Sequence, residues 1–459
     1  MAAAAAPCPY IPPNPSLSKF NEHHLNFSKY IQRLDASAVN SPLHQGQHRA
    51  LIRTQQFFTG SAVAGAPAST DTAIVVMPTG AGKSGVAAIL PYMLNSKRVL
   101  IITPSVIITR QLADSFWGEL TGNTFYGTRN LVPAEHLASF LEHGKMFDRS
   151  LLNNLIPREQ NIANVVQQFQ QSFLVIVNCQ KLSEQSKINI DDLAHIHETN
   201  LFDTVIVDEA HHYPAPTWNY IIDKFRCKKV FLTATPQNRG SPIIKNCPNF
   251  DEQRKKYIAY EMTREEAINQ GLIRSCEFKE EPSAAELHDV DADDPRIFVP
   301  VINSMINALQ AHDATRPANM ADRYQGMILC RSKEQAKKVR DEINRVHGPE
   351  VAGCYVNGVP GSDAAFKAFQ AGRSQILVTC GKACEGYDNK RVSVVGILRN
   401  VRSRVLFNQF VGRCVRKLLP QETIKGVVVS HAIHGQAAMM ETLDEMATED
   451  PEEEEDLDI

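Results

Sequence analysis

From Thr72 onward the chain alternates short apolar runs with longer amphipathic stretches. Five runs, 72–77, 98–103, 172–178, 204–207 and 229–233, are apolar almost throughout. That is the pattern of strands covered on both faces, as in a parallel sheet. The segment 113–171 is polar and helix-rich, and reads as an insertion or an elaborated crossover. A second series follows: helix 298–311, strand 325–330, helix 333–346, strand 351–356, helix 362–371, strands 375–380 and 393–398, helix 403–418 and strand 425–430. Between the two series, Tyr257–Ile273 has helical spacing and Glu280–Asp294 is acidic and turn-rich, so 251–296 is expected to link them. The pattern thus predicts an α/β chain with two parallel-sheet domains in tandem, 41–250 and 297–440, each with helices on both faces. Residues 1–40 form a lead-in with one short helix over Leu17–Leu34, and 441–459 an acidic, solvated tail.

Composition narrows the class. With 43% hydrophobic and 22% charged residues among 459, this is the balance of a globular protein with full cores. No run of about 18 apolar residues is present, so a membrane span is not expected. The opening MAAAAAPCPYIPPNP lacks a basic start and is broken by prolines, unlike a secretory signal. Ten scattered cysteines suit a reducing, intracellular setting. Cys380 and Cys384 are the closest pair, with no further ligands at zinc spacing. The net charge of −3 conceals eleven Asp or Glu and no Lys or Arg in 441–459, so the body carries about +8. A mildly basic body permits nucleic-acid binding.

Candidate chemistry begins at Met77-Pro78-Thr79-Gly80-Ala81-Gly82-Lys83-Ser84, between a strand and a helix. Glycines let the amide N–H groups curl toward phosphate oxygens, and the helix start adds partial positive charge. Lys83 is expected on the β and γ phosphates and Ser84 on Mg²⁺; Met77 stands where G-x-x-x-x-G-K-S/T has its first glycine. Such a loop needs an acidic partner on the same sheet edge, and strand 204–207 ends in Asp208-Glu209-Ala210-His211. Asp208 is expected to hold Mg²⁺ and Glu209 to activate water. In Gln409-Phe410-Val411-Gly412-Arg413-Cys414-Val415-Arg416, a helix over 403–418 would project Gln409, Arg413 and Arg416 from one face. Two guanidiniums there suit a phosphoryl-transfer transition state.

This ordered set resembles the superfamily 2 DEAD/DEAH-type helicases and translocases, over about residues 40–432. Within them, Asp-Glu-Ala-His, Q-x-x-G-R-x-x-R and EMTREEAINQGLI (261–273) are most similar to the restriction-enzyme helicase subunits and their DNA-repair relatives. The resemblance implies two RecA-like domains that hydrolyse ATP with Mg²⁺ between them and move along or unwind nucleic acid, DNA in preference to RNA. It places Gln47 at the adenine, with His44, Gln45 and Gly46 departing from the family's L-R-P-Y-Q. Thr79, Gly80, Ala81, Gly82, Lys83 and Ser84 form the Walker A loop, and Gly386, Asp388 and Gln409 face the nucleotide. Pro104, Ser105, Arg110, Gln180, Arg331, Ser332 and Thr379 lie along nucleic acid, while His211, Thr233 and Thr235 couple the two sites. A protein partner for targeting is compatible with the absence of a recognisable accessory domain.

Two other classes are weighed. A catalytically silent nucleic-acid-binding or signalling module is disfavoured by the complete set of Lys83, Ser84, Asp208, Glu209, Arg413 and Arg416. A GTP-binding switch requires N-K-x-D, and the string begun by Asn389-Lys390 has Val392 in the Asp place.

Overall fold

The computed structural model describes residues 43–60, 71–118, 123–143, 146–148, 157–238, 240–282, 294–317, 320–381, 387–419 and 421–443. The expected lead-in, most of the acidic tail, Cys384 and Gly386 lie outside the described residues. Fifteen strands are present among the described residues. In chain order they are β1 (Thr72–Val76), β2 (Val99–Thr103), β3 (Met146–Asp148), β4 (Leu174–Asn178), β5 (Thr204–Asp208), β6 (Lys228–Thr233), β7 (Gln237–Asn238) and β8 (Ser241–Pro242). The series continues with β9 (Ile258–Glu261), β10 (Cys276–Glu281), β11 (Gln325–Cys330), β12 (Ala352–Tyr355), β13 (Ile376–Thr379), β14 (Val392–Leu398) and β15 (Gly426–His431). They form a seven-stranded sheet, order β3-β4-β2-β5-β6-β1-β9, a six-stranded sheet, order β10-β15-β14-β11-β13-β12, and the small hairpin β7-β8. All pairs within the two large sheets are parallel. These are two RecA-like α/β units in tandem.

The apolar runs explain the layers. Alternate residues of a strand point to opposite faces, so Ile74 and Val76 join one buried cluster with Ile102 and Val205, while Val75 joins another with Ile101 and Ile206. Each fully buried Val, Leu or Ile contributes about 1.5–3 kcal/mol, which strongly specifies a doubly covered sheet. In the second sheet Met327 and Leu329 face one cluster, and Ile328 and Cys330 the other. One cluster is continuous between the sheets, joining Val75 and Ile101 to Leu329 and Val428 through Met262, Ile273 and Phe407.

Two expectations are corrected. Tyr257–Ile273 is not one helix: the helix Phe250–Tyr257 runs into β9, and a new helix spans Arg264–Asn269. The break has a local cause, a capping box in which Thr263 Oγ1 accepts from Glu266 N at 3.1 Å and Glu266 Oε2 accepts from Thr263 N at 2.9 Å. The stretch expected as a linker therefore supplies an edge strand to each sheet, β9 beside β1 and β10 beside β15. The helix expected over 403–418 covers only Arg404–Val411. Beyond it Arg413 N and Cys414 N donate three residues back, to Phe410 O and Val411 O. The chain then turns extended: Arg274 N donates to Val415 O at 2.6 Å, and Ile273 bridges Arg416 antiparallel. Backbone partners from 273–274 outcompete the helical ones.

Candidate active site

The loop after β1 is pinned before it curls, because Met77 N donates to Thr233 O at 3.0 Å. Gly80 and Gly82 take φ of +84° and +87°, a region L side chains rarely adopt, so glycine is required at both. The helix Lys83–Met93 starts immediately after, which puts the partial positive charge of a helix N-terminus at the loop. Lys83 is buried, with Nζ donating to Met77 O at 3.2 Å, while Ser84 is exposed. Two residues ahead of the sheet clamp the loop from outside. His44 Nε2 lies 2.9 Å from Ala81 O and its Nδ1 accepts from Gln47 N at 3.2 Å, so the proton sits on Nε2. Burial drives the His44 imidazole down to about 4, against the Ala81 bond. Gln47 Nε2 donates to Gly82 O at 2.9 Å, leaving its buried Oε1 without a partner.

β5 carries the acidic pair to the same sheet edge. Burial, then the adjacent Glu209 charge, pushes Asp208 up to about 7, with Lys83 opposing. Glu209 lies below its ordinary value: burial raises it, but Lys83, His211 and Arg413 together outweigh burial. Glu209 is also one of few non-glycine residues at positive φ, +50°, with Asp208 Oδ1 accepting from its N–H at 3.1 Å. Strain of about 1–3 kcal/mol held at such a residue is typical of functional positions.

The second sheet closes the cleft. Tyr387 O accepts from both Arg413 Nη1 and Arg416 Nη1, the latter at 2.8 Å, although the two arginines do not share a helix face. Arg416 Nε also lies 3.2 Å from Asp388 Oδ1. A side chain at Gly412 would lie 2.9 Å from Thr79 Cβ, and one at Gly80 would lie 3.0 Å from Arg416 Cγ, so the turn after Val411 sits directly on the phosphate loop. A cleft of about 450 Å³ results, lined by Gln47, Thr79, Gly80, Gly82, Lys83, Ser84, Asp208 and Glu209 from one side and Asp388, Arg413 and Arg416 from the other. Glycine-rich backbone, a buried lysine, an exposed hydroxyl and a carboxyl with raised proton affinity fit a nucleotide triphosphate with its Mg²⁺.

Of the residues expected to couple the two sites, His211 stands between Gln409 and Glu209, while Thr233 bonds locally to Thr235. Gln409 Nε2 lies 3.0 Å from His211 Nε2, and His211 Nδ1 lies 3.5 Å from Glu209 Oε2. Thr233 Oγ1 accepts from Thr235 N at 3.1 Å and donates to Thr235 O at 2.8 Å. Asn238, which carried no sequence signal, donates from Nδ2 to His211 O at 2.9 Å. Gln111, in the stretch Arg110-Gln111-Leu112 that the resemblance sets along nucleic acid, meets the second unit: its Oε1 accepts from Asp388 N at 3.3 Å.

The residues expected along nucleic acid divide. Arg110, Gln180 and Arg331 are exposed, Pro104 half-exposed, and Ser105 and Ser332 cap helices, accepting from Ile108 N at 3.3 Å and Gln335 N at 3.1 Å. Thr379 departs from expectation: it is fully buried and its hydroxyl donates to Tyr355 O at 3.0 Å, because β13 lies inside the sheet between β11 and β12. Among the described residues no cluster of His, Cys, Asp and Glu could hold a metal by itself, and no helix is long and apolar enough to cross a membrane.

Comparison with known proteins agrees with this fold. Residues 40–238 match the family of the type III restriction enzyme res subunit. A Saccharomyces cerevisiae protein named a candidate ATP-dependent helicase, IRC3, is 21% identical over 245 residues, covering 48% of this chain and 33% of that protein. An uncharacterized Mycobacterium tuberculosis protein is 26% identical over 246 residues, 48% of this chain and 41% of its own length. The chain thus spans well under half the length of these curated relatives. Among solved structures, the fragment of an HsdR subunit of a type I restriction enzyme from Vibrio vulnificus superposes with a TM-score of 0.54 at 16% identity, covering 88% of this chain and 67% of that one. The Mycobacterium smegmatis helicase Lhr, bound to single-stranded DNA and AMP-PNP, superposes at 0.56 with 17% identity, covering 93% and 50%. Over residues 40–238 the chain is thus similar to the type III restriction enzyme res subunit, and in fold to the restriction-enzyme and helicase structures named above.

Proposed function

We propose that the chain is a nucleic-acid-dependent ATPase, a helicase or translocase that moves along or unwinds DNA, with RNA as the lesser alternative. The observation that carries this reading is the cleft itself, in which Lys83, Asp208 and Glu209 of one sheet face Arg413 and Arg416 of the other. The division that goes with it is 41–250 as the nucleotide-binding unit and 297–440 as the closing unit, bridged by 251–296.

In this reading Thr79 to Ser84 cradle the phosphates and Lys83 balances their charge. Ser84 and Asp208 would hold Mg²⁺, which when bound neutralises charge on the β and γ phosphates. Glu209, kept ionised by Lys83 and His211, accepts the proton of the attacking water at a carboxylate oxygen. With Gln409 Nε2 as donor, His211 Nε2 accepts and its proton rests on Nδ1, facing Glu209. Gln409 therefore ties the orientation of the base to the position of the second unit. Arg413 and Arg416 exchange Tyr387 O for the transferring phosphoryl group, a contribution worth about 10³–10⁵ in turnover in related enzymes. Exposed Arg110, Gln180 and Arg331 would contact the phosphate backbone, giving sequence-tolerant, salt-sensitive binding.

The test is ATP turnover with matched single- and double-stranded DNA and RNA, for the wild type, Glu209→Gln and Arg413→Ala. Stimulation by a nucleic acid, abolished in both variants, is expected. Turnover that no nucleic acid stimulates refutes the motor reading.

A further inference from the structure

The segment between the helix Val106–Trp117 and the helix Ala134–His143 carries no motif, yet it contributes two side chains to the cleft, Phe125 and Arg129. Its placement is firmly built. Thr124 caps the short helix Phe125–Thr128, accepting from Gly127 N at 3.0 Å. Tyr126 is fully buried, and its hydroxyl donates to Ala88 O, on the helix that begins with Lys83, at 3.0 Å. Its ring packs on those of Tyr92, Phe116 and Phe140, with centroids 4.9 to 6.4 Å away. Leu131 and Val132 are buried behind it. The segment is therefore clamped to the phosphate-loop helix at a fixed height.

That clamp lays Phe125 on the first turn of the helix. A methyl group at Gly85 would lie 2.7 Å from Phe125 Cζ and 2.4 Å from Gln47 Nε2. Phe125 is half-buried and Arg129 exposed, and both line the cleft together with buried Ile108 and Leu112. On this side the cleft changes character, from charged groups around Lys83 to an aromatic ring, apolar walls and one guanidinium. Gln47 stands at the boundary with a buried acceptor, Oε1, that has no partner.

We infer that Phe125 and Arg129 form a platform that stacks the base of the bound nucleotide, on the side of the cleft where Gln47 lies. A half-buried ring and a planar guanidinium are the two side-chain surfaces that best take a flat base, and stacking on them tolerates any base. This inference rests on the nucleotide reading above.

Binding of ATP, GTP and inorganic tripolyphosphate, each with Mg²⁺, separates the two. For the wild type, Phe125→Ala, Phe125→Trp and Arg129→Ala, dissociation constants are measured by calorimetry. Phe125→Ala is expected to weaken ATP about ten- to hundredfold and to leave tripolyphosphate unchanged, with Phe125→Trp retaining ATP and Arg129→Ala losing ATP severalfold relative to tripolyphosphate. Tripolyphosphate, which has no base, also reports whether each variant is folded at the site. Equal weakening of both ligands by Phe125→Ala, or unchanged ATP affinity, overturns the platform while the nucleotide site stands. A Phe125→Ala variant that weakens ATP but not GTP also overturns the platform, because stacking takes either base. A wild type that binds neither ATP nor tripolyphosphate overturns the nucleotide reading, and this inference with it.

Discussion

Gly412→Ala should uncouple the two units without unfolding either. The added Cβ would sit 2.9 Å from Thr79 Cβ, 2.9 Å from Thr79 Cγ2 and 2.9 Å from Asn408 O. Contacts under 3.0 Å force movement, and Thr79 Cβ is no flexible tip, since it belongs to a loop clamped by His44 and Gln47. The cheapest relief is to lift the turn carrying Arg413 and Arg416 off the phosphate loop. Overpacking of this kind costs about 1–3 kcal/mol. Charged against the closed state alone, that corresponds to roughly a five- to 150-fold loss of turnover. Nucleotide affinity should fall much less, because Lys83 and Ser84 are on the undisturbed side. The assay is kcat and KM for ATP with a stimulating nucleic acid, alongside thermal denaturation. A variant with wild-type kcat would refute the reasoning that this glycine sets the approach of the arginines. A large loss of thermal stability would assign the effect to the helix end at Asn408 instead.

Other outcomes follow from the same geometry. Arg274→Met should destabilise the second unit by about 3–5 kcal/mol in urea denaturation, because Arg274 is buried, pairs with Glu422 at 2.6 Å and donates to the carbonyls of Val392 and Cys414; an unchanged midpoint would contradict this. Stability should fall as pH drops from 6.5 toward 4. His44, His312 and His434 are each held near 4, in each case chiefly by burial, so the unfolded chain binds more protons in that window. Asp208, at about 7 when folded, acts in the opposite sense above 3.8, but it is one group against three. A urea midpoint that rises on acidification from pH 6.5 to 5 would overturn the balance. Because Asp208 holds a proton below about 7, affinity for Mg²⁺ with ATP should rise with pH up to that value and then level off. Calorimetry at pH 6 and 8 checks this, and equal affinities would count against it.

Much of this molecule is legible in its sequence. Runs such as Val99–Thr103 are buried at every position, and only a doubly covered parallel strand accommodates that, so the sheets and their tandem order follow from hydropathy alone. Lys83, Ser84, Asp208 and Glu209 are legible for a similar reason. Each is fixed by its own strand end, and neighbouring strands of a parallel sheet end on one edge. Tertiary structure decided what depends on contacts between distant segments. The helix before Gly412 stops at Val411 because residues 273–274 supply better backbone partners than the next helical turn. The two arginines consequently meet at Tyr387 O by a turn, and not by helical spacing. Thr379 is buried inside the sheet, where the resemblance had set it along nucleic acid. Phe125 and Arg129 had no signal at all, since what brings them to the cleft is Tyr126 anchoring on a helix 38 residues away. Local sequence sets hydropathy period and strand ends, while the partners that finish a site come from segments whose proximity only packing determines.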